Sequence, residues 1–109
     1  MEMLNKVELK GFVGSVKVEE VGQMEQARFS VATNYAYKKK DGEIVVETTW
    51  HNCTAFREWR DYKAMPFEDL KKGAQVHLTG RIRITNYTSA DGVQQSRCDI
   101  MVQTLSVEG

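Results

Sequence analysis

Apolar and polar residues alternate along most of this chain with the two-residue period of half-buried β-strands. The first predicted strand covers residues 7–13, where Val7, Leu9 and Val13 point inward. One or both of Gly11 and Gly14 are expected to bend this strand, because glycines inside strands often mark bulges. A second strand is predicted at residues 26–34 from the same alternation.

Two Asp-Gly pairs predict tight hairpin turns, because both central positions of such a turn require positive φ. Asp41-Gly42 joins the second strand to a third at residues 43–56. Asp91-Gly92 joins a fourth strand at residues 74–87 to a fifth that ends near residue 105. Between the third and fourth strands, residues 57–65 have helical spacing. A short helix is predicted from Pro66, which suits a first helical position, to Gly73, which suits a helix terminator.

Five strands with one short helix between the third and fourth predict an all-β fold. The expected architecture is a five-stranded Greek-key barrel of the oligonucleotide/oligosaccharide-binding (OB) type, formed as one domain by residues 1–109. Lysine plus arginine equal aspartate plus glutamate at 15 each, so binding of a polyanion would depend on local clustering of cations. The absence of a basic leader and of a long apolar segment predicts a cytoplasmic protein that does not interact with membranes.

Aromatic and cationic side chains share single faces of two predicted strands. Trp50 and Phe56 emerge on the same side of the third strand, together with small polar residues, as a platform on which flat ligands could stack. In the fourth strand the odd positions place Arg81, Arg83 and Tyr87 on one side. The even positions are predicted to face the core, and they are Val76, Leu78, Ile82 and Ile84. This pattern favours binding of a sugar-phosphate chain.

The chain offers no combination of residues that suggests catalysis or a cofactor. Cys53 and Cys98 are predicted to be free thiols at inward-facing strand positions, without the pairing of a zinc site. His51 and His77 lack metal-ligand spacing, and no nucleophile or carboxylate pair can be assembled. We therefore predict no catalytic residues, no metal and no cofactor.

With these features in place, the chain closely resembles bacterial single-stranded DNA-binding proteins. The similarity runs in order from residue 5 to about residue 105, and it is carried by residues 5–11, residues 29–33, Thr49-Trp50-His51, Leu70-Lys71-Lys72-Gly73 and Gly80-Arg81-Ile82-Arg83. The resemblance implies sequence-independent binding and protection of single-stranded DNA in replication, recombination and repair. It also implies a nucleoid-associated location.

The resemblance assigns roles to individual residues. It implies base-stacking rings at Tyr37, Trp50, Phe56 and Tyr87. It implies phosphate-contacting cations at Lys6, Arg28, Arg81 and Arg83, and at Lys38, Lys39 and Lys40 in the predicted hairpin.

The resemblance also implies self-association, most often as a homotetramer, with a dimer as the alternative. It places His51 near a subunit contact. The chain stops at Gly109 without the family's acidic tail, so tail-mediated recruitment of replication and repair proteins is not expected. Two alternatives remain open: a primosome-type OB-fold accessory or interaction subunit, and an RNA-binding OB-fold.

Overall fold

The computed structural model describes residues 1–108, which form five long strands and one short 3₁₀ helix. The strands are β1 (Val7–Val21), β2 (Met24–Lys38), β3 (Ile44–Glu58), β4 (Gln75–Thr88) and β5 (Gln94–Glu108). They close into a barrel in the order β1-β2-β3-β5-β4, with β3 and β5 parallel and every other pair antiparallel. This architecture confirms the predicted OB-fold. None of the helices within residues 1–108 has the length and apolar character needed to cross a bilayer.

The inward-facing residues of all five strands form one apolar core. Val31 and Leu78 are completely buried, and Val13, Phe29 and Ile100 lie beside them. Each such side chain stabilises the fold by roughly 1.5–3 kcal/mol relative to exposure. The β4–β5 ladder shifts register between Thr79 and Gly80, where the strands approach so closely that a Cβ on Gly80 would lie 2.2 Å from the carbonyl oxygen of Met101.

The bend predicted in the first strand is confirmed as a β-bulge between Val13 and Val16. Odd positions face the core before the bulge, and Val16 packs against it afterwards. Both predicted Asp-Gly turns are also confirmed, because Gly42 and Gly92 have φ values of +90° and +84°.

The predicted short helix between β3 and β4 is present but shorter than expected, and the helical spacing of residues 57–65 does not form a helix. Only Phe67–Asp69 is helical, as a single 3₁₀ turn, and Pro66 before it has non-helical φ and ψ. The cause is the buried side chain of Arg57, which donates to the carbonyl oxygen of Met65 at 2.6 Å and to the carboxylate of Glu68. These bonds hold the segment against the end of β3. The positive φ of Gly73 is present, but its N–H donates to the carbonyl oxygen of Val13 on β1.

The strands continue past the core, which corrects three predicted inward positions. Ile82, Ile84 and Cys98 have the parity of core residues, but all three are exposed. Ile84 and Cys98 lie beyond the level at which β5 pairs with β3, and Ile82 lies two residues past Gly80, the last residue of β4 that pairs with β1. The β2–β3 hairpin extends in the same way, because β2 runs to Lys38 and not to residue 34.

Candidate nucleic-acid interface

Trp50 lies on the outer surface of the barrel. It is opposite Ala32 in the β2–β3 ladder and leans across β2 towards β1. A Cβ built on Gly14 would lie 2.4 Å from Cζ3 of the indole and 2.9 Å from Oγ of Ser30. The residues below the ring are therefore small, and 59% of the Trp50 surface remains exposed. The far end of the indole thus reaches Gly14 on β1, and more than half of the side-chain surface is open to a ligand.

Phe56 lies on the same outer face as Trp50. The β2–β3 ladder runs from residue 44 to residue 58 without a register shift, so the even positions of β3 all face outward. Six residues of extended strand separate the Cα atoms of the two residues by about 20 Å. Phe56 is 39% exposed. A strand that contacts both rings must cross the surface between them.

That intervening surface is a cationic groove of about 200 Å³. Its polar lining comes from Ser15, Lys17, Arg28, Ser30, Asn52 and Arg97. Arg28 takes part in no ion pair among the described residues, whereas Lys17 pairs with Glu19 at 2.7 Å and Arg97 with Asp99 at 3.1 Å. Guanidinium and ammonium groups between two exposed rings are suited to phosphates between stacked bases.

Sequence reasoning missed Lys17 and Arg97 as members of this groove. Arg97 has the same outward parity as Gln95 and Asp99 on β5, which was a usable signal. Arg97 comes close to β2 only because β5 pairs with β3, and the alternation of residues within one strand does not predict that pairing. Lys17 follows the bulge in β1, and the bulge changes which positions face outward.

Arg81, Arg83 and Tyr87 lie on the outer face of β4. They are opposite Met101, Asp99 and Gln95 of β5 respectively. The hydroxyl of Tyr87 donates to Oε1 of Gln95 at 2.9 Å, and its ring is half exposed. This face of β4 continues into the groove through three neighbouring strand pairs. Arg28 on β2 is opposite Thr54 on β3, and Thr54 is opposite Met101 on β5. Met101 is in turn opposite Arg81 on β4.

Lys6 is brought beside Arg81 by its neighbour in the chain. The side chain of Asn5 accepts from the N–H of Ile82 at 2.9 Å and donates to its carbonyl oxygen at 2.7 Å. This pair of bonds fixes the segment before β1 against β4, and Lys6 and Arg81 line a common groove.

The remaining predicted residues lie on the β2–β3 arm. Tyr37 has the opposite parity to Trp50, so it lies on the other face of the arm, where its ring is 6.2 Å from that of Tyr35. Lys38 ends β2 on the same face as Trp50, and Lys39 and Lys40 lie at the exposed turn. The structure therefore does not bring Tyr37 onto the face shared by Trp50 and Phe56.

His51 lies on the inward-facing side of β3 and is partly exposed. Its Nε2 is 2.9 Å from Oγ1 of Thr33, so one ring nitrogen has a partner within the chain. It is opposite Val31 in the ladder, near the point where the barrel gives way to the β2–β3 arm.

Arg57 anchors the end of β3 that carries Phe56. The guanidinium is buried beneath Tyr62 and Phe67, with its central carbon 4.5 Å from the centre of the Phe67 ring. It pairs with Glu25 at 3.0 Å and with Glu68. The hydrogen bond to Glu68 raises the pKa of Arg57, and the same bond lowers the pKa of Glu68.

The two thiols have different surroundings. Burial, followed by the charge of Asp99, raises the pKa of Cys53 to about 12. Cys98 is exposed. Nowhere in residues 1–108 do three or more His, Cys, Asp or Glu side chains form a group that could hold a metal ion.

An OB-fold barrel with rings and cations along its outer surface is typical of proteins that bind single nucleic-acid strands. Residues 4–107 match the model of the Single-strand binding protein family. The chain therefore belongs to that family.

Similar proteins extend this comparison. A single-stranded DNA-binding protein of Neisseria meningitidis is 34% identical over 110 residues, which cover 97% of this chain. One from Xanthomonas axonopodis is 33% identical over 109 residues. The chain spans about 60% of the length of these relatives, at 60% and 58% respectively.

Solved structures agree on the fold. The Plasmodium falciparum protein in its complex with single-stranded DNA matches with a TM-score of 0.79 at 22% identity, covering 100% of this chain and 98% of the other. The Thermus aquaticus single-stranded DNA-binding protein, as a deletion mutant, matches with a TM-score of 0.76 at 16% identity, over 97% of this chain and 51% of that one.

Proposed function

We propose that this protein binds and protects single-stranded DNA with little sequence preference, in replication, recombination and repair. The observation that carries the proposal is the arrangement of Trp50, Arg28 and Phe56, two exposed rings separated by a cationic groove on one face of β2–β3. Bases stack on the rings, and phosphates between them are neutralised by the groove. Membership in the Single-strand binding protein family supports the same ligand.

Selectivity for unpaired strands follows from the stacking. Each base stacked on a ring contributes about 1–3 kcal/mol, and any base can supply that face. A duplex offers these faces only after unpairing, so it binds weakly. Each neutralised phosphate steepens the slope of log K against log salt concentration by roughly 0.7.

The path of the DNA continues on β4 over Tyr87, Arg81, Arg83 and Lys6. DNA that reaches the β2–β3 arm contacts Tyr37, Lys38, Lys39 and Lys40. No covalent chemistry is involved, and the DNA ligand implies a cytoplasmic, nucleoid-associated location.

Self-association completes the proposal. A homotetramer is favoured over a dimer, and His51 lies near a subunit contact. Support comes from the family resemblance and from the partial exposure of the imidazole at the edge of the core. Mass measurement in solution tests this, with His51→Ala expected to shift the assembly towards smaller species. A wild-type protein of 12.5 kDa in solution would contradict it.

The DNA-binding experiment measures fluorescence anisotropy of dye-labelled oligo-dT, the matching RNA, and duplex DNA at two salt concentrations. We expect only oligo-dT to bind tightly. Trp50→Ala should lose roughly 1–3 kcal/mol of binding free energy for oligo-dT. Trp59→Ala is the matched control, because Trp59 is similarly exposed but is bonded to Glu20 away from the groove. Equal affinity for duplex, or tighter binding of RNA, would contradict the proposal.

A further inference from the structure

Phe12 is an exposed ring in the middle of the sheet, in line with Trp50. It is opposite Ala32 on β2 and Gln75 on β4, and Ala32 is in turn opposite Trp50 on β3. Phe12 is 49% exposed although β1 has hydrogen-bonded neighbours on both sides. A large ring facing outward from a paired strand contributes little to the core, which makes it a candidate contact surface.

Its distance from Trp50 is suitable for a continuous strand. The two Cα atoms are separated by two strand spacings, or about 10 Å. Only Ala32 lies between them in this row, so nothing bulky interrupts the surface. A strand with one base on the open face of Trp50 therefore has a following base within reach of Phe12.

Beyond Phe12 lies a groove that carries cations. Phe12 forms its wall together with Lys71, Lys72, Gly73, Ala74 and Gln75, and Asp69 and Glu108 also line it. Lys10 lies on the other side of Phe12, in a second groove. Three ammonium groups and two carboxylates thus surround the ring, leaving a local excess of positive charge.

The loop that carries these lysines is fixed to β1 beside Phe12. The N–H of Gly73 donates to the carbonyl oxygen of Val13 at 2.8 Å, and the N–H of Val13 donates to that of Ala74 at 2.9 Å. Lys71 and Lys72 are therefore held near the ring by backbone bonds, and only their side chains must be ordered on binding.

We infer that Phe12 is an additional base-stacking residue, and that the DNA strand runs from Trp50 across Phe12 into the groove lined by Lys71 and Lys72. The inference rests on the proposed function and extends it to a path across β1. This path is separate from the groove that leads from Trp50 to Phe56.

The test compares Phe12→Leu, which keeps apolar bulk without a ring, with Phe12→Tyr, which keeps the ring. We expect Phe12→Leu to weaken oligo-dT binding roughly 5- to 150-fold, the factor of one stacked base, and Phe12→Tyr to bind as the wild type does. The double variant Lys71→Gln/Lys72→Gln should reduce the salt slope by about 1.4, and it carries the test if Phe12→Leu does not fold.

The outcomes separate this inference from the proposed function. If Trp50→Ala weakens oligo-dT binding while Phe12→Leu and the lysine variant bind oligo-dT as the wild type does, the path across β1 is wrong and the main proposal stands. If the wild type does not bind oligo-dT, the main proposal itself fails. A change in molecular mass in Phe12→Leu with unchanged DNA affinity per chain would make Phe12 a subunit contact and overturn the inference.

Discussion

The indole of Trp50 lies against the backbone of Gly14, with no room for a methyl group between them. A Cβ on Gly14 would be 2.4 Å from Cζ3 and 2.9 Å from Cη2 of the ring. The glycine therefore permits the indole to reach from β3 across β2 to β1. Without that contact the ring would have to tilt away from the sheet, and its open face would change direction.

Gly14→Ala is expected to weaken single-stranded DNA binding by lifting the indole. The loss of binding free energy should be no larger than the roughly 1–3 kcal/mol that the stacked base contributes. Titration with labelled oligo-dT measures it. In a Trp50→Ala background the same substitution should have almost no further effect, because the ring that it displaces is gone. An equal loss in both backgrounds would show that Gly14 acts through the bulge and not through Trp50.

Removing Arg57 is expected to destabilise the fold strongly. Arg57→Met leaves Glu25 beneath the loop without its cationic partner, and it removes the bond to the carbonyl oxygen of Met65. Loss of one partner from such a buried pair costs about 3–5 kcal/mol. Arg60→Met is the control, because Arg60 stacks on Trp59 at the surface and should cost about 1 kcal/mol or less. The two variants are compared by their melting temperatures, and equal melting temperatures would contradict the prediction.

The contribution of Glu68 should disappear in acid. Its hydrogen bond from Arg57 lowers its pKa below the ordinary value of 4.5. The unfolded state therefore takes up the proton first as pH falls, so the stabilisation is present above pH 4.5 and is lost through the lower folded pKa. Melting temperatures of wild type and Glu68→Gln should differ near neutral pH and converge in acid. A difference that stays constant with pH would contradict the prediction.

Only one of the two thiols should react in the native protein. Cys98 is exposed, whereas burial raises the pKa of Cys53 to about 12, so little thiolate forms there at mildly alkaline pH. A thiol-specific reagent should modify one group per chain before denaturation and two afterwards. Cys98→Ser should show none before denaturation, and rapid native labelling of that variant would contradict the burial of Cys53.

Local pattern was sufficient for the elements that depend on local chemistry. Strand parity identified the outward face of Trp50 and Phe56, and the need for positive φ located both Asp-Gly turns. The order of elements favoured the OB-fold, and the outward-facing side chains and the family resemblance supported it.

The errors arose where distant contacts decide the outcome. Pro66 and Gly73 are good helix boundaries, but only one 3₁₀ turn forms between them, where Arg57 bonds to the carbonyl oxygen of Met65 and to Glu68. Ile84 and Cys98 have core parity but lie beyond the barrel, and sequence alone does not tell where a strand leaves the core. Arg97 joins the groove only because β3 and β5 are paired.

The most direct test of the central claim is the fluorescence of Trp50 as the sole tryptophan, in a Trp59→Phe variant titrated with oligo-dT. We predict strong quenching by oligo-dT, weaker binding as salt rises, and no comparable change with duplex DNA, because a base stacks on the open face of the indole. Binding of oligo-dT that leaves the emission of Trp50 unchanged would contradict the claim that this ring is part of the DNA-binding surface.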